Sequence, residues 1–151
     1  MPILQAKDQE AVAERFNVEL KRDVSLELYT QRSIGGLYIP GRECRTCVTT
    51  QQMMEELAAL SPRLHLAVKD YYGDPEEARD KGVETIPATL IGSGDGYNAR
   101  FYGLPSGYEF AVLLDSIVAA SQSRPSLALE SRRLLKQLTQ DVHIRVFVTP
   151  T

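Results

Sequence analysis

The order of local patterns around one pair of cysteines constrains this chain more than any other feature. Cys44 and Cys47 are its only cysteines, three positions apart in the run Gly41-Arg42-Glu43-Cys44-Arg45-Thr46-Cys47-Val48. Ahead of them, Asp23-Val24-Ser25-Leu26-Glu27-Leu28-Tyr29-Thr30 alternates Val24, Leu26 and Leu28 against Ser25 and Glu27, the period of a strand with one buried face. Behind them the pattern is helical from Cys44 to about Leu60: Cys47, Met54 and Leu57 share a stripe, with Met53 and Leu60 beside it. Between strand and motif lie 13 residues, Gln31 to Glu43, punctuated by Gly35-Gly36 and Pro40-Gly41. A loop of that length in a compact domain is often functional.

The reading extends in both directions. Asp8 is the expected cap of a first helix with Val12, Phe16 and Leu20 on one face. Pro62 ends the helix after the cysteines, and Leu64-His65-Leu66-Ala67-Val68 reads as a second strand. Asp74-Pro75-Glu76-Glu77 carries a helix-start signature, and this short helix is expected to stop at Gly82. Pro87 lacks a backbone donor, so it belongs at the head of a third strand, Pro87-Ala88-Thr89-Leu90-Ile91. Gly92-Ser93-Gly94-Asp95-Gly96 turns the chain into a fourth, from Tyr97 to Tyr102. These glycines suit a turn better than a phosphate loop, because strand patterns flank them on both sides and a dinucleotide loop needs a helix to follow. Ser106 and Glu109 fit a capping box before a helix whose face is Phe110, Leu113, Leu114, Ile117 and Val118. Pro125 breaks the chain, Ser126 opens another helix with Leu127, Leu134 and Leu138 on one side, and Val142 to Val148 reads as a strand. The order is α-β-(loop, C-x-x-C)-α-β-α-β-β-α followed by an extra α-β, an α/β protein.

Composition narrows the function classes. With 151 residues, 43% apolar and 25% charged, the chain has the make-up of a soluble globular domain. Its formal charge of −3 and lack of a basic stripe disfavour nucleic acid as a partner. No run of 18 apolar residues offers a membrane span. Met1 to Glu10 lacks an apolar signal core, so a cytoplasmic location is expected. In that compartment a close cysteine pair is more often catalytic or metal-binding than a structural staple. A zinc site needs two further ligands. His65 and His143, the only histidines, each fall within a predicted strand and read as ordinary strand residues. A metal shared by the C-x-x-C motifs of two chains remains the alternative.

The attacking species in disulfide exchange is a thiolate. If Cys44 sits at the N-cap or first turn of its helix, free N–H groups and the positive dipole end favour ionisation. Arg45 and Arg42 add positive charge and Glu43 opposes them, so the expected direction is below the free-cysteine value of about 8.5. Cys47, one turn on and facing the core, is expected to be shielded. That asymmetry suits attack by Cys44 and resolution by Cys47.

The closing segment repeats the opening one in pattern: Asp141-Val142-His143-Ile144-Arg145-Val146-Phe147 matches Asp23 to Tyr29 at an offset of 118 residues, each after an amphipathic helix. Cys44-Arg45-Thr46-Cys47 after the first strand, with Thr85-Ile86-Pro87-Ala88 before the third, resembles the thioredoxin superfamily. The run Arg100-Phe101-Tyr102-Gly103-Leu104-Pro105-Ser106-Gly107-Tyr108-Glu109-Phe110, with the closing segment Asp141 to Thr151, is similar to the glutaredoxin-like protein disulfide oxidoreductases, which carry two such units in tandem. The pair between the cysteines departs from that family, being Arg-Thr rather than Pro-Tyr.

The resemblance implies a thioredoxin fold, a central mixed four-stranded sheet with flanking helices, plus an extra C-terminal helix-strand. It divides the chain into a helical extension (1–22), the unit with the cysteines (23–123) and the helix and first strand of an incomplete second unit (124–151). The activity implied is thiol–disulfide exchange by Cys44 and Cys47, with no cofactor or metal. Substrate would bind at Ile86 and Pro87, whose bond is cis in the family, and at Arg45 and Thr46. The expected partners are protein or small-molecule disulfides and thiols, a reductase as electron donor, and a second copy through the last strand. Without the cysteine pair, Pro87 reads simply as a strand opener. A docking module with weak redox activity is the competing reading.

Overall fold

The computed structural model describes residues 2–31, 41–93, 97–122 and 127–148. Nine elements occur in them: α1 (Ala6–Glu19), β1 (Val24–Thr30), α2 (Cys47–Ala58), β2 (Leu64–Asp70), α3 (Pro75–Asp80), β3 (Ala88–Gly92), β4 (Tyr97–Tyr102), α4 (Tyr108–Gln122) and α5 (Leu129–Leu135). The strands form one mixed sheet in the order β2-β1-β3-β4. β1 and β2 run parallel, Val24 opposite Leu64, joined by the α2 crossover. β3 lies antiparallel on the other side of β1, with Leu28 opposite Thr89, and β4 pairs antiparallel with β3.

The helices divide between the two faces of the sheet. Val24, Leu26 and Leu28 of β1 and Ile91 of β3 pack with Val12 and Phe16 of α1, Met53, Met54 and Leu57 of α2, and Leu113 and Ile117 of α4. On the opposite face Tyr29, Ala88 and Leu90 pack with Ala78 of α3 and Val83. β1 is therefore covered on both sides, which corrects the expectation of a single buried face. Ser25 is exposed, but Glu27 and Tyr29 are buried, at 8% and 1% exposure. Alternation reports which residues share a face, and a strand enclosed on both sides needs no polar face at all.

Several local signals act as the sequence implies. Asp74 caps α3, its Oδ1 accepting from the Glu77 amide at 2.9 Å, and Pro75 occupies the first turn. The segment after α3 passes through Gly82 at φ +66, a region where a Cβ would be strained. Other boundaries differ. α1 starts at Ala6 with Gln5 in the cap position, so Asp8 lies in its first turn, where the dipole favours an acid. α4 starts at Tyr108, after Gly107 at φ +58, and the Glu109 amide donates to the Ser106 carbonyl at 3.2 Å. The expected box around Ser106 thus becomes a turn ahead of the helix. Ser121, near the end of α4, takes the amides of Lys21 at 2.6 Å and Arg22 at 2.9 Å on its hydroxyl, joining α4 to the α1–β1 connection.

The C-terminal expectations need the largest correction. α5 has no buried residue. Residues 141–148 form no strand, and Ile144, Val146 and Phe147 are 78%, 77% and 90% exposed. They pair with neither edge of this sheet. His143 is consequently no strand residue; its Nε2 accepts from Arg145 Nε at 3.3 Å. The expected turn at 94–96, the Pro125 break and the Ser126 helix start lie outside the described residues, as does most of the loop before the cysteines.

Glu27 is the one acid in the covered part of β1, and Lys81 Nζ meets both its oxygens at 2.7 Å. Removing one partner of such a pair takes the opposite charge away from the other. Lys81→Met is expected to cost about 1–3 kcal/mol, between the exposed and fully buried limits, with Glu27→Leu/Lys81→Met recovering most of it. Urea unfolding midpoints of the three proteins check this.

Candidate active site

β1 and β2 are parallel, so α2 runs back between them and starts at the C-terminal edge of the sheet. Cys47 is its first residue and Thr46 its N-cap, with the Thr50 amide bonded to the Thr46 carbonyl at 2.8 Å. Cys44 lies two residues before the cap, in the preceding loop, which corrects the expectation of a helix from Cys44 onward. The two sulfurs are joined as a disulfide with Cα atoms 5.4 Å apart. Cys47 is buried at 2% exposure and Cys44 is half-buried, the asymmetry expected of a shielded and an accessible sulfur. Arg45 is exposed and Thr46 half-buried between them.

The proline arrives at the same edge. Ala88 pairs with Tyr29, one residue short of the end of β1, so Pro87 precedes β3 at the end of the sheet where α2 begins. The Ile86–Pro87 bond is cis. Pro87 is buried, and its carbonyl accepts from the Gly103 amide at 2.8 Å, which ties the segment after β4 to the proline. Ile86 is half-buried against the cluster of Tyr29, Ala78 and Leu90. Cys44, Arg45, Thr46, Cys47, Ile86 and Pro87 are thus carried to one end of the sheet by separate segments.

Sequence reasoning assigned no role to Tyr71 and Tyr72. Tyr72 faces the guanidinium of Arg42, whose carbon lies 4.4 Å from the ring centre, and Tyr71 donates its hydroxyl to the Glu84 carbonyl at 3.2 Å. The available signal was position, since both follow the C-terminal end of a parallel strand, where α/β sheets place their sites. An apolar cavity of about 480 Å³ between α1, α2 and the approach to α4 was likewise unforeseen; Ile3, Leu4, Thr49, Met53, Leu104 and Phe110 line it. Its Ile3 and Leu4 wall is held by Glu56, whose carboxylate accepts both amides at 2.9–3.0 Å and is thereby kept below its ordinary pKa. The hydroxyls of Thr30, Thr50 and Thr89 are buried without a hydrogen-bond partner among the described residues. All three lie on the α2 side of the sheet, at the end that carries the cysteines.

Among the described residues no group of three or more His, Cys, Asp or Glu gathers to hold a metal ion. His65 is exposed on β2 with its Nε2 3.2 Å from Asp23 Oδ2. No helix among the described residues is long and apolar enough to cross a membrane.

Comparison with solved structures decides the fold. The chain superposes on the alkylhydroperoxide reductase AhpF of Enterococcus faecalis with a TM-score of 0.71 and 18% identity, covering 89% of this chain and 61% of that one. A protein disulfide oxidoreductase from Aeropyrum pernix gives a TM-score of 0.71 at 23% identity, over 89% and 55%. The chain has the thioredoxin fold. The thioredoxin of Fasciola hepatica matches at 0.51 and 19% identity, over 76% of this chain and 93% of its own. The chain spans 61% and 55% of the first two proteins. No family model and no curated protein matches the sequence. The cysteine pair at disulfide distance lies within this thioredoxin fold.

Two measurements follow from this geometry. After reduction, iodoacetamide is expected to label Cys44 faster than Cys47, on the order of tenfold, because Cys44 is the more exposed of the two and Cys47 is buried; peptide mass spectrometry after timed quenching reads the ratio. Tyr29 is pushed up to about 12, first by burial and then by the charges of Glu27 and Glu77. A tyrosine ionises more readily in the unfolded chain, near 10, so folding stability is expected to fall as pH rises from about 10 towards 12. Tyr29→Phe should flatten that fall in urea midpoints taken across the alkaline range.

Proposed function

We propose that the chain is a thiol–disulfide oxidoreductase in which Cys44 is the attacking and Cys47 the resolving cysteine. The observation that carries this reading is the unequal pair: a half-buried Cys44 ahead of α2, bonded to a buried Cys47 at its first position. The Cys44 thiolate attacks a substrate disulfide, forming a mixed disulfide and releasing one substrate thiolate, which takes up a proton. Cys47 then loses its proton and attacks the Cys44 sulfur. The Cys44–Cys47 bond forms, the second substrate thiolate leaves, and two electrons have passed from protein to substrate. An external dithiol or reductase restores the pair, and a strong oxidant would run the cycle in reverse.

Arg45, Thr46, Ile86 and Pro87 make up the surface on which substrate docks. Arg45 adds positive charge beside the nucleophile, and the backbone at Ile86 and Pro87 lines the site from the other segment. The substrates are protein or small-molecule disulfides, and a cytoplasmic setting suits a pair that must be re-reduced.

On a finer scale, we read the chain as the first unit of a glutaredoxin-like protein disulfide oxidoreductase, with an N-terminal extension over 1–22, the redox unit over 23–123 and the start of a second unit over 124–151. The likeness to the Aeropyrum pernix protein supports this, as does an α5 and a 141–148 segment whose apolar residues are exposed. The same exposure favours, as a second reading, pairing of this segment with a second copy of the chain.

Disulfide exchange on a model protein tests the leading reading. Cys44→Ser is expected to abolish turnover and Cys47→Ser to accumulate a mixed disulfide, while Pro87→Ala slows product release without unfolding the protein. A wild type inert towards disulfides while both reduced thiols alkylate would transfer the assignment to docking.

A further inference from the structure

Arg42 stands two residues before Cys44, and its guanidinium carbon lies 4.4 Å from the centre of the Tyr72 ring. Tyr72 meets Tyr71 edge to face, with ring centres 5.2 Å apart at 79°. The Tyr71 hydroxyl donates to the Glu84 carbonyl at 3.2 Å, and Glu84 stands two residues before Ile86 and three before Pro87. Contacts therefore run unbroken from the segment that carries Cys44 to the segment that carries the cis proline. The tyrosine pair is itself anchored: the Tyr71 amide donates to the Thr30 carbonyl at 3.0 Å, and the Tyr72 amide to Asp70 Oδ1 at 3.3 Å. These bonds fix the pair to the C-terminal ends of β1 and β2.

We propose that Tyr72, backed by Tyr71, is a positioning residue for the Cys44–Cys47 couple, holding Arg42 and through it keeping Cys44 within reach of Cys47 when the pair is reduced. This rests on the redox reading above, since it concerns the same two sulfurs. Cys47 is held by α2 in either redox state. Cys44 lies outside the helix, and once the disulfide opens its position depends on what restrains the loop. The balance between dithiol and disulfide follows the effective concentration of one thiol near the other, and a restraint on the Cys44 segment raises it. Replacing Tyr72 loosens the loop without deleting the charge that Arg42 places near the thiolate.

The test is equilibration of the full chain with graded ratios of reduced and oxidised glutathione at neutral pH, with the oxidised fraction read by alkylation and mass. Tyr72→Leu is expected to move the midpoint about two- to fivefold towards the dithiol, the size an exposed cation–ring contact supports. Tyr72→Phe keeps a ring under the guanidinium and is expected to titrate with wild type. Tyr71→Phe loses only the hydroxyl that reaches Glu84 and is expected to move in the same direction as Tyr72→Leu. Circular dichroism of the oxidised forms establishes that each variant folds. A Tyr72→Leu midpoint at the wild-type value or shifted towards the disulfide overturns the proposal, as does Tyr72→Phe behaving like Tyr72→Leu. A wild type that stays fully oxidised at every ratio of glutathione and of a stronger dithiol couple, reduced and oxidised dithiothreitol, overturns the redox reading and this proposal with it; a wild type that titrates beside an unshifted Tyr72→Leu overturns this proposal alone.

Discussion

Enclosure of β1 is the constraint on which the other parts of the structure depend. The strand has β2 on one side, β3 on the other, α1, α2 and α4 over one face and the α3 segment over the second. Its backbone groups pair with neighbours on both sides, and its side chains from Leu26 to Thr30 are removed from water. Such a strand can carry a charge only if the fold supplies the opposite one, and the paired oxygens of Glu27 on Lys81 meet that condition. The crossover that covers β1 also sets the direction of α2, and so decides which end of the sheet receives the cysteines.

Three buried threonine hydroxyls without partners among the described residues lie at that end, whereas the core behind them is apolar. An unpaired buried hydroxyl costs about 1–3 kcal/mol, and departures of this kind gather at functional sites more than elsewhere. The Pro87 carbonyl bonded to Gly103 and the Glu84 carbonyl bonded to Tyr71 hold the proline segment from two directions. The site is therefore braced by segments far apart in the chain rather than by the motif itself.

The C-terminal segment obeys the same physics from the opposite side. Its alternation copies that of β1, yet it forms no strand, because alternation supplies a face and not a pairing partner. α5 likewise has apolar residues, and none of its residues is buried. The spacing of apolar residues expresses a demand for burial, and here no described surface meets that demand.

By itself the sequence determined what depends on neighbours a few positions away. Helix and strand periods, the Asp74-Pro75 start, the turn through Gly82, the proline at the head of β3 and the cysteine spacing all act over a turn or two of chain, so they could be read before any fold was known. Only the tertiary structure decided that Glu27 and Tyr29 are enclosed, that Lys81 answers Glu27, that Cys47 rather than Cys44 begins α2, and that Tyr71 and Tyr72 join the cysteine and proline segments. These outcomes turn on residues 10 to more than 50 positions apart, as with Glu27 and Lys81 at a separation of 54. Burial, charge pairing and side-chain stacking belong to the environment the whole chain creates, and no local period encodes that environment.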